Sequence, residues 1–201
     1  KDGVTLLETP EGLMPIEVFG AHNLNNLAGA KWICQNMGVD EADFYEAIAS
    51  FKGASKRLEK IAEGKGRVAY KDFAHSPSKV AATTKAVKEQ YPNRTLVACL
   101  ELHTYSSLNA EFLKEYEGAL ENADEAVVFY SPDAVKIKQL EEVTYEQIAK
   151  AFNRKDLIIY TNPAEFKQYL FNRNLDNSAL LLMSSGNYGG LNFDEVKQLI
   201  E

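Results

Sequence analysis

Residues 70–79, YKDFAHSPSK, contain an acid and a histidine just after a predicted strand, where ligands often bind. Asp72 and His75 follow an apolar run and precede Ser76-Pro77. That pair is typical of a helix start, because Ser accepts a free N–H and Pro has none to lose. A carboxylate accepts hydrogen bonds, and an imidazole can donate or accept one. The stretch therefore predicts two ionisable groups where a strand ends and a helix begins.

Polar side chains also follow two later apolar runs. Glu101 and His103 come after TLVAC, and Ser184 and Asn187 come after SALLLM. Ligands of open α/β sheets bind beyond the carboxyl ends of the strands, so these groups are expected at the ligand-binding edge. Taken alone, the glycines of SSGNYGG equally indicate an ordinary turn.

The elements that position these groups are predicted from hydrophobic patterns. Four runs are almost continuously apolar, as in strands covered on both faces: TLVACLE, EAVVFY, DLIIY and SALLLMS. Helical patterns occur at 77–90, 109–121, 144–152, 163–173 and 192–200. This alternation predicts an α/β fold, a Rossmann-like open and mostly parallel sheet with flanking helices.

The first part of the chain has a different, mostly helical pattern. Residues 1–19 are expected to be extended. Residues 20–38 are predicted to form a helix that Gly38 ends, and Asp40 begins a second helix that reaches Phe51. The stretch 52–57 is rich in Gly, Ser and Lys, which predicts a junction between two domains.

Composition argues against several classes of protein. The chain has 201 residues and a formal net charge of −7, which disfavours a nucleic-acid partner. It contains no apolar run long enough for a bilayer and no signal-peptide core, so no membrane partner is expected. The two cysteines are isolated among apolar neighbours, which indicates reduced thiols in a cytosolic protein.

Familiar cofactor motifs are missing from the sequence. No G-x-G-x-x-G follows the first strand, which argues against one alternative, an NAD-dependent oxidoreductase. No G-x-x-x-x-G-K-[ST] phosphate loop occurs, and His22, His75 and His103 lack the spacing of metal ligands. In HNLNN, two interpretations remain: Asn23 caps a helix, or Asn23 and Asn26 bind an adenine edge.

The order of five segments is more specific than any one of them. GAHNLNN, FKGASKRLE, YKDFAHSPSK, LELHTYSS and LMSSGNYGG follow one another from about residue 16 to the end. This order resembles the C-terminal half of the Mur ligases, ATP-dependent enzymes that add amino acids to the UDP-N-acetylmuramyl peptide of the bacterial cell wall. The family patterns G-x-H-N-x-x-N and F-x-G-x-x-x-R-x-E are matched. D-D-[FY]-[AG]-H-H-P is matched in part, because Lys71 replaces the first acid and Ser76 the second histidine.

The resemblance implies an organisation for the chain. Residues 1–53 correspond to the end of a central ATP-binding domain, and residues 54–201 to a C-terminal domain that binds the incoming amino acid or peptide. ATP and Mg²⁺ are the implied cofactors. The family's UDP-sugar domain, phosphate loop and Mg²⁺ ligands are expected upstream of Lys1, so no catalytic residue or metal ligand is expected in this chain.

The resemblance also implies partners and site residues. The partners are UDP-N-acetylmuramate, a peptide or amino acid, and the rest of the same enzyme, in the bacterial cytoplasm. The implied ATP-binding residues are His22, Asn23, Asn26, Arg57 and Asp72, and the implied substrate-binding residues are His75, Glu101, His103, Ser184 and Asn187.

Two branches of the family are similar to this chain. Glu101, the NADEAVVF run and the SSGNYGG ending are similar to the branch that joins L-Ala-γ-D-Glu-meso-diaminopimelate to UDP-N-acetylmuramate in peptidoglycan recycling. His103 and Tyr105 are more similar to the branch that adds L-alanine, although Thr104 and Ser107 stand where that branch has arginines. The tripeptide branch is the first expectation and the L-alanine branch the second. A non-catalytic binding module with the same fold is a further alternative.

Overall fold

The computed structural model describes residues 4–141 and 143–201, and it begins with an antiparallel hairpin. Strands β1 (Thr5–Thr9) and β2 (Gly12–Ile16) pair with Thr5 opposite Ile16. Gly12, at φ 124°, closes the turn, where a side chain would be strained. The extended conformation predicted for 1–19 is therefore paired; residues 1–3 of that range lie outside the described residues.

Two helices follow the hairpin: α1 (Ala21–Asn36) and α2 (Glu41–Ala49). Gly38, at φ 88°, follows α1 as predicted. Asp40 precedes α2, but its side chain makes no capping hydrogen bond. The interpretation of Asn23 as a helix cap is wrong. Gly20 occupies the cap position, and the Asn23 amide instead donates to the Phe19 carbonyl over 3.0 Å.

A six-stranded sheet forms the centre of the remaining chain, in the spatial order β3-β4-β8-β5-β6-β7. Its strands are β3 (Glu59–Gly64), β4 (Arg67–Asp72), β5 (Thr95–Glu101), β6 (Glu125–Phe129), β7 (Ile158–Tyr160) and β8 (Ser178–Met183). The neighbouring strands β4 and β8, β8 and β5, β5 and β6, and β6 and β7 are parallel, and β3 is antiparallel to β4. The predicted open, mostly parallel sheet is confirmed. The antiparallel edge strand β3 was not predicted, because charged residues interrupt its apolar pattern.

In the described part of the chain, five helices flank the sheet: α3 (Pro77–Gln90), α4 (Pro132–Ile137), α5 (Tyr145–Phe152), α6 (Pro163–Asn172) and α7 (Phe193–Ile200). Four of them match the predicted ranges, and the short α4 was not predicted. The helix predicted at 109–121 is wrong, because the structure has there only a 3₁₀ turn at Phe112–Tyr116. The Asn109 side chain accepts hydrogen bonds from the Glu111 and Phe112 N–H groups, and Gly118 has φ 73°. Both features compete with a regular helix.

The core lies on both faces of the sheet, as the continuous apolar runs predicted. Along β5, Leu96, Ala98 and Leu100 belong to one buried cluster, and Val97 and Cys99 belong to the other. Successive strand residues point to opposite faces, so both faces are covered. None of the helices in the described part of the chain is long and apolar enough to span a membrane.

The segment between α2 and β3 contains no helix or strand and is held against the end of β4. Lys56 and Leu58 adopt positive φ angles of 56° and 45°, and Gly53 has φ 94°. The Lys56 carbonyl accepts the Phe73 N–H over 2.8 Å. This linker, residues 52–58, carries Arg57 and connects α2 to the sheet.

Candidate functional site

The side chains implied to bind ATP lie around one cavity of about 340 Å³. They come from the start of α1, the linker and the end of β4: His22, Asn23, Asn26, Arg57 and Asp72. The start of α3 adds Ser78 and Lys79, which sequence reasoning missed. Residues far apart in the sequence therefore form one polar wall.

Gly20 explains how α1 approaches this wall. It has φ 86°, and a Cβ placed there would lie 2.7 Å from the Ala86 Cβ of α3. A larger residue would push α1 away from α3 and widen the cavity. The glycine of GAHNLNN thus sets the distance between two elements that both contribute to the cavity.

Asp72 is tied to the protein backbone through both carboxylate oxygens. Oδ2 accepts the Leu58 N–H over 2.7 Å, and Oδ1 accepts the Ala74 N–H over 2.6 Å. Each carboxylate oxygen can accept a second hydrogen bond, so Asp72 retains acceptor capacity toward the cavity. The acid thus anchors the linker as well as lining the cavity, a role that the sequence did not indicate.

The surroundings of His22 favour the neutral form of its imidazole. Burial lowers the pKa of its imidazole; nearby Asp72 opposes this change, and nearby Arg57 adds to it. Below the ordinary value of 6.5, the unfolded chain therefore binds this proton more readily than the folded chain does. Stability is retained above that value and falls as the pH decreases below it.

We therefore expect His22→Gln to flatten the acid side of the stability profile. Melting temperatures of the chain and the variant, compared between about pH 7 and about pH 5, measure the effect. The wild type should lose more stability over this interval than the variant. Parallel curves would mean that His22 becomes protonated equally easily in the folded and unfolded chains.

A second, more apolar cavity of about 310 Å³ adjoins the first. Asn23, Asn26 and Arg57 line both. Its other walls are largely apolar and include Leu27, Ala30, Ile48, Phe51 and Leu58. Amide groups beside apolar walls, next to a cavity with cationic groups, suit a flat heteroaromatic base joined to an anionic group.

The residues implied to bind substrate follow three strands, in the order β4, β8, β5, at the carboxyl edge of the sheet. Glu101, His103 and Ser184 are brought together: the Ser184 hydroxyl donates to Glu101 Oε2, and His103 Nδ1 lies 3.6 Å from Oε1. His75 stands apart at the end of β4, where its Nδ1 is 2.9 Å from the Phe73 carbonyl oxygen.

These residues differ in whether they can touch a ligand. The side chain of His103 is 40% exposed, whereas Glu101 is 3% exposed and directed into the protein. Asn187 is exposed, and its Oδ1 accepts the Gly190 N–H over 3.2 Å. The structure thus leaves His103 and the loop after β8 at the surface and places Glu101 beneath them.

Thr104 and Ser107 bond to each other. The Ser107 hydroxyl accepts the Thr104 N–H over 3.0 Å, and Thr104 Oγ1 accepts the Ser107 N–H over 3.2 Å. A cation reaches this loop from another element, because Lys138 Nζ lies 4.5 Å from the centre of the Tyr105 ring. The loop after β5 is thus a closed turn with a lysine at its rim.

The sequence and the fold are also similar to those of known proteins. The family described as "Mur ligase, glutamate ligase domain" matches residues 56–186. A UDP-N-acetylmuramate–L-alanine ligase of Microcystis aeruginosa is 31% identical over 185 residues, which are 88% of this chain and 37% of that protein.

Two solved structures share the fold. The UDP-N-acetylmuramate-alanine ligase of Thermotoga maritima has a TM-score of 0.68 at 18% identity, over 94% of this chain and 39% of that one. The murein peptide ligase of Psychrobacter arcticus has a TM-score of 0.63 at 20% identity, with the same coverages of 94% and 39%. The chain thus spans less than two fifths of each of the three relatives.

Proposed function

Because this chain belongs to the Mur ligase family, we propose that it is the C-terminal part of an ATP-dependent ligase that forms an amide bond on UDP-N-acetylmuramate. The observation that supports this proposal is the cavity lined by all five side chains implied to bind ATP. These side chains come from three separate segments, and the fold brings them to one place.

We assign the two adjoining cavities to the nucleotide. The apolar cavity would hold the adenine between its walls, with the Asn23 and Asn26 amides available to the base edge. Asp72 would accept ribose hydroxyls with its remaining lone pairs, and Arg57 would face a phosphate. His22, Asn23, Asn26, Arg57 and Asp72 therefore remain the proposed ATP-binding residues.

The groups that act on the γ-phosphate are assigned to the longer protein. The 201 residues contain no phosphate loop. Among residues 4–141 and 143–201, no cluster of three or more His, Cys, Asp or Glu side chains is arranged to hold a metal ion. We therefore assign none of the described residues to Mg²⁺ and derive no step through it.

In the proposed reaction, the muramyl carboxylate takes the γ-phosphoryl group of ATP and becomes an acyl phosphate, and ADP is the leaving group. The amino group of the incoming substrate attacks the acyl carbon, and phosphate leaves as the amide forms. The role of this chain is to position the amine, which lowers the entropic cost of the encounter. His75, His103, Ser184 and Asn187 are proposed to line the cleft for the incoming substrate.

The two parts of the chain are proposed to be residues 1–53, the end of the ATP-binding domain, and residues 54–201, the amine-binding domain. The linker spans the boundary between them and contains three positive-φ residues, Gly53, Lys56 and Leu58. Few dihedral changes in such a segment would suffice to swing one part relative to the other. We propose the linker as the hinge of closure over ATP.

For the incoming amine we favour L-Ala-γ-D-Glu-meso-diaminopimelate, with L-alanine as the second candidate. The Thr104–Ser107 turn supplies no cation for a small amino acid carboxylate, and Lys138 lies at the rim, where a longer anionic peptide could reach it. The second candidate is supported by the Microcystis relative, whose name specifies L-alanine.

The test uses the longer protein with ATP, Mg²⁺ and UDP-N-acetylmuramate. We expect phosphate release to require either the tripeptide or L-alanine, and mass spectrometry of the UDP-sugar product to identify which. No phosphate release with either amine, together with nucleotide binding, would support the non-catalytic module. Hydride transfer to or from a nicotinamide cofactor would support the oxidoreductase.

The chain by itself is expected to be inactive toward ATP. Phosphoryl transfer depends on a phosphate cradle, a lysine and Mg²⁺. The adenosine contacts alone should give an affinity of about 1 mM or weaker. Calorimetry with ATP and Mg²⁺, followed by a phosphate-release assay of the 201-residue chain, measures this. Micromolar affinity or steady turnover would contradict the assignment of the phosphate site to the longer protein.

A further inference from the structure

The carboxylate of Glu101 faces three groups from two loops at the carboxyl edge of the sheet. Oε2 accepts the Ser184 hydroxyl and, over 2.8 Å, the Tyr188 N–H. Oε1 faces the imidazole of His103 at 3.6 Å. Since a buried carboxylate is costly without such partners, its position is defined by all three.

The two bonds to Oε2 come from opposite ends of one loop, residues 184–188. At its first end, the Ser184 N–H also donates to the Asp72 carbonyl over 2.9 Å. At its last end, Tyr188 is buried, and its hydroxyl bonds to the carbonyls of Cys99 and Met183 at 2.7 and 2.8 Å. The residues between these ends therefore form a short loop whose two ends are bonded to a single carboxylate.

Gly186, in the middle of this loop, lies against both Glu101 and His103. A Cβ at this position would be 2.9 Å from Glu101 Oε2 and 3.0 Å from His103 Cγ. The space between the loop backbone, the carboxylate and the imidazole is therefore too small for any side chain at residue 186. A larger residue there would displace the carboxylate, the ring or the loop.

We propose that Glu101 is a positioning residue for the incoming amine: it fixes the 184–188 loop and the His103 ring relative to each other, so that both present one preformed surface. This inference rests on the proposed function. Glu101 does not touch the substrate and acts through His103 and the loop. Its removal should therefore affect the amine more than the nucleotide, whose cavity lies on the side of β4.

The kinetic test compares Glu101→Gln with Glu125→Gln in the longer enzyme. Glu125 is a matched control, because it is a partly buried glutamate of the adjacent strand that accepts hydrogen bonds from Tyr169 and Arg173. It stands opposite Val97, at the other end of β5 from Glu101. We expect Glu101→Gln to raise KM for the amine, or lower kcat, about tenfold or more, because small misplacements are costly. KM for ATP should change by less than about twofold, as should all constants in Glu125→Gln.

A conservative variant and a second measurement complete the test. Glu101→Asp keeps the charge and should recover part of the loss. In NMR spectra of the 201-residue chain, Glu101→Gln should shift the Gly186 amide and the His103 ring signals together, and Glu125→Gln should not. If Glu101→Gln does not fold, Ser184→Ala, which removes one bonded end of the loop, takes its place in the NMR measurement, because Ser184 is itself proposed to line the cleft.

The outcomes separate the two proposals. A wild-type enzyme without amide formation would overturn the proposed function, and the NMR comparison would still decide whether Glu101 positions His103 and the loop. Unchanged amine kinetics in an active Glu101→Gln enzyme with a lowered melting temperature would show that Glu101 is only structural. Unshifted Gly186 and His103 signals would also overturn the inference.

Discussion

Asp72→Ala is expected to destabilise the chain by about 2–4 kcal/mol, because the N–H groups of Leu58 and Ala74 lose a charged acceptor. For a chain of this size, that corresponds to a fall in melting temperature of roughly 5–15 °C. Part of this loss of stability should be local to the linker. The Leu58 bond holds the linker to β4, so its removal should expose residues 52–58 to proteases well below the melting temperature.

A matched control for this prediction is Asp124→Ala. Asp124 Oδ2 also accepts a backbone N–H, from Leu96 over 2.6 Å, together with the Lys88 ammonium, but it is far from the linker. The Asp124→Ala variant should have a lower melting temperature without increased protease cleavage in residues 52–58. Equal cleavage in the two variants would mean that the linker follows general stability and that Asp72 does not hold it.

In the proposed longer enzyme, Asp72 should also matter for nucleotide use. Asp72→Asn retains one acceptor oxygen but places an NH₂ group against a backbone N–H donor. We expect kcat/KM for ATP to fall about tenfold or more, because charged hydrogen bonds are worth ~1.5–3 kcal/mol each. Unchanged ATP kinetics with a lowered melting temperature would restrict Asp72 to its structural contacts.

Much of this fold could be predicted from the sequence because the signals are local. Runs such as TLVACLE and SALLLMS require burial on both faces, and a chain that alternates such runs with helices builds a parallel sheet. The strand ends then share one edge, which is how the residues near Asp72, Glu101 and Ser184 could be expected there. The helix at 77–90 was predictable from Ser76, Pro77 and its apolar face, although the Ser76 side chain, at the cap position, does not make the expected capping hydrogen bond.

What could not be predicted depends on contacts between distant segments. Pro10, Gly12 and Pro15 interrupt the β1–β2 stretch, so its pairing could not be identified from the pattern alone. Strand β3 is interrupted by charged residues, and pairing with β4 stabilises it. The same limit applies to the site. The residue types of Asp72 and Glu101 indicate acids near a ligand. That Asp72 anchors the linker, and that Glu101 lies under the loop, depends on N–H groups of Leu58 and Tyr188, which no side-chain pattern reveals.

Tyr188→Ala is expected to have the largest effect on stability. The Tyr188 ring is 1% exposed and stacks on Phe166 with ring centres 5.0 Å apart, close to Phe129. Removing a buried aromatic ring leaves a cavity and costs about 3–5 kcal/mol. The hydroxyl would also be lost from the Cys99 and Met183 carbonyls. The loop after β8 should then lose its fixed end, so amide formation should fall with stability.

Tyr188→Phe separates the ring from the hydroxyl. It keeps the stacking and the backbone N–H that bonds to Glu101, so we expect a loss of only about 1–2 kcal/mol and near-normal amine kinetics.

Tyr188→Phe should also change how stability declines at alkaline pH. Burial, with smaller contributions from Cys99 and Glu101, raises the pKa of the Tyr188 hydroxyl well above its ordinary value of 10.0. The folded chain therefore keeps this proton while the unfolded chain releases it. The contribution to stability is complete below that ordinary value and is lost as the pH rises above it. Denaturant unfolding of the chain at increasing alkaline pH should show a shallower decline in the free energy of unfolding for Tyr188→Phe than for the wild type.

Tyr70→Phe is the control for amine kinetics, because it removes a buried hydroxyl bonded to Tyr91 on the other face of the sheet. If Tyr188→Phe abolished amide formation while Tyr70→Phe did not, the hydroxyl, and not the ring, would be what holds the loop.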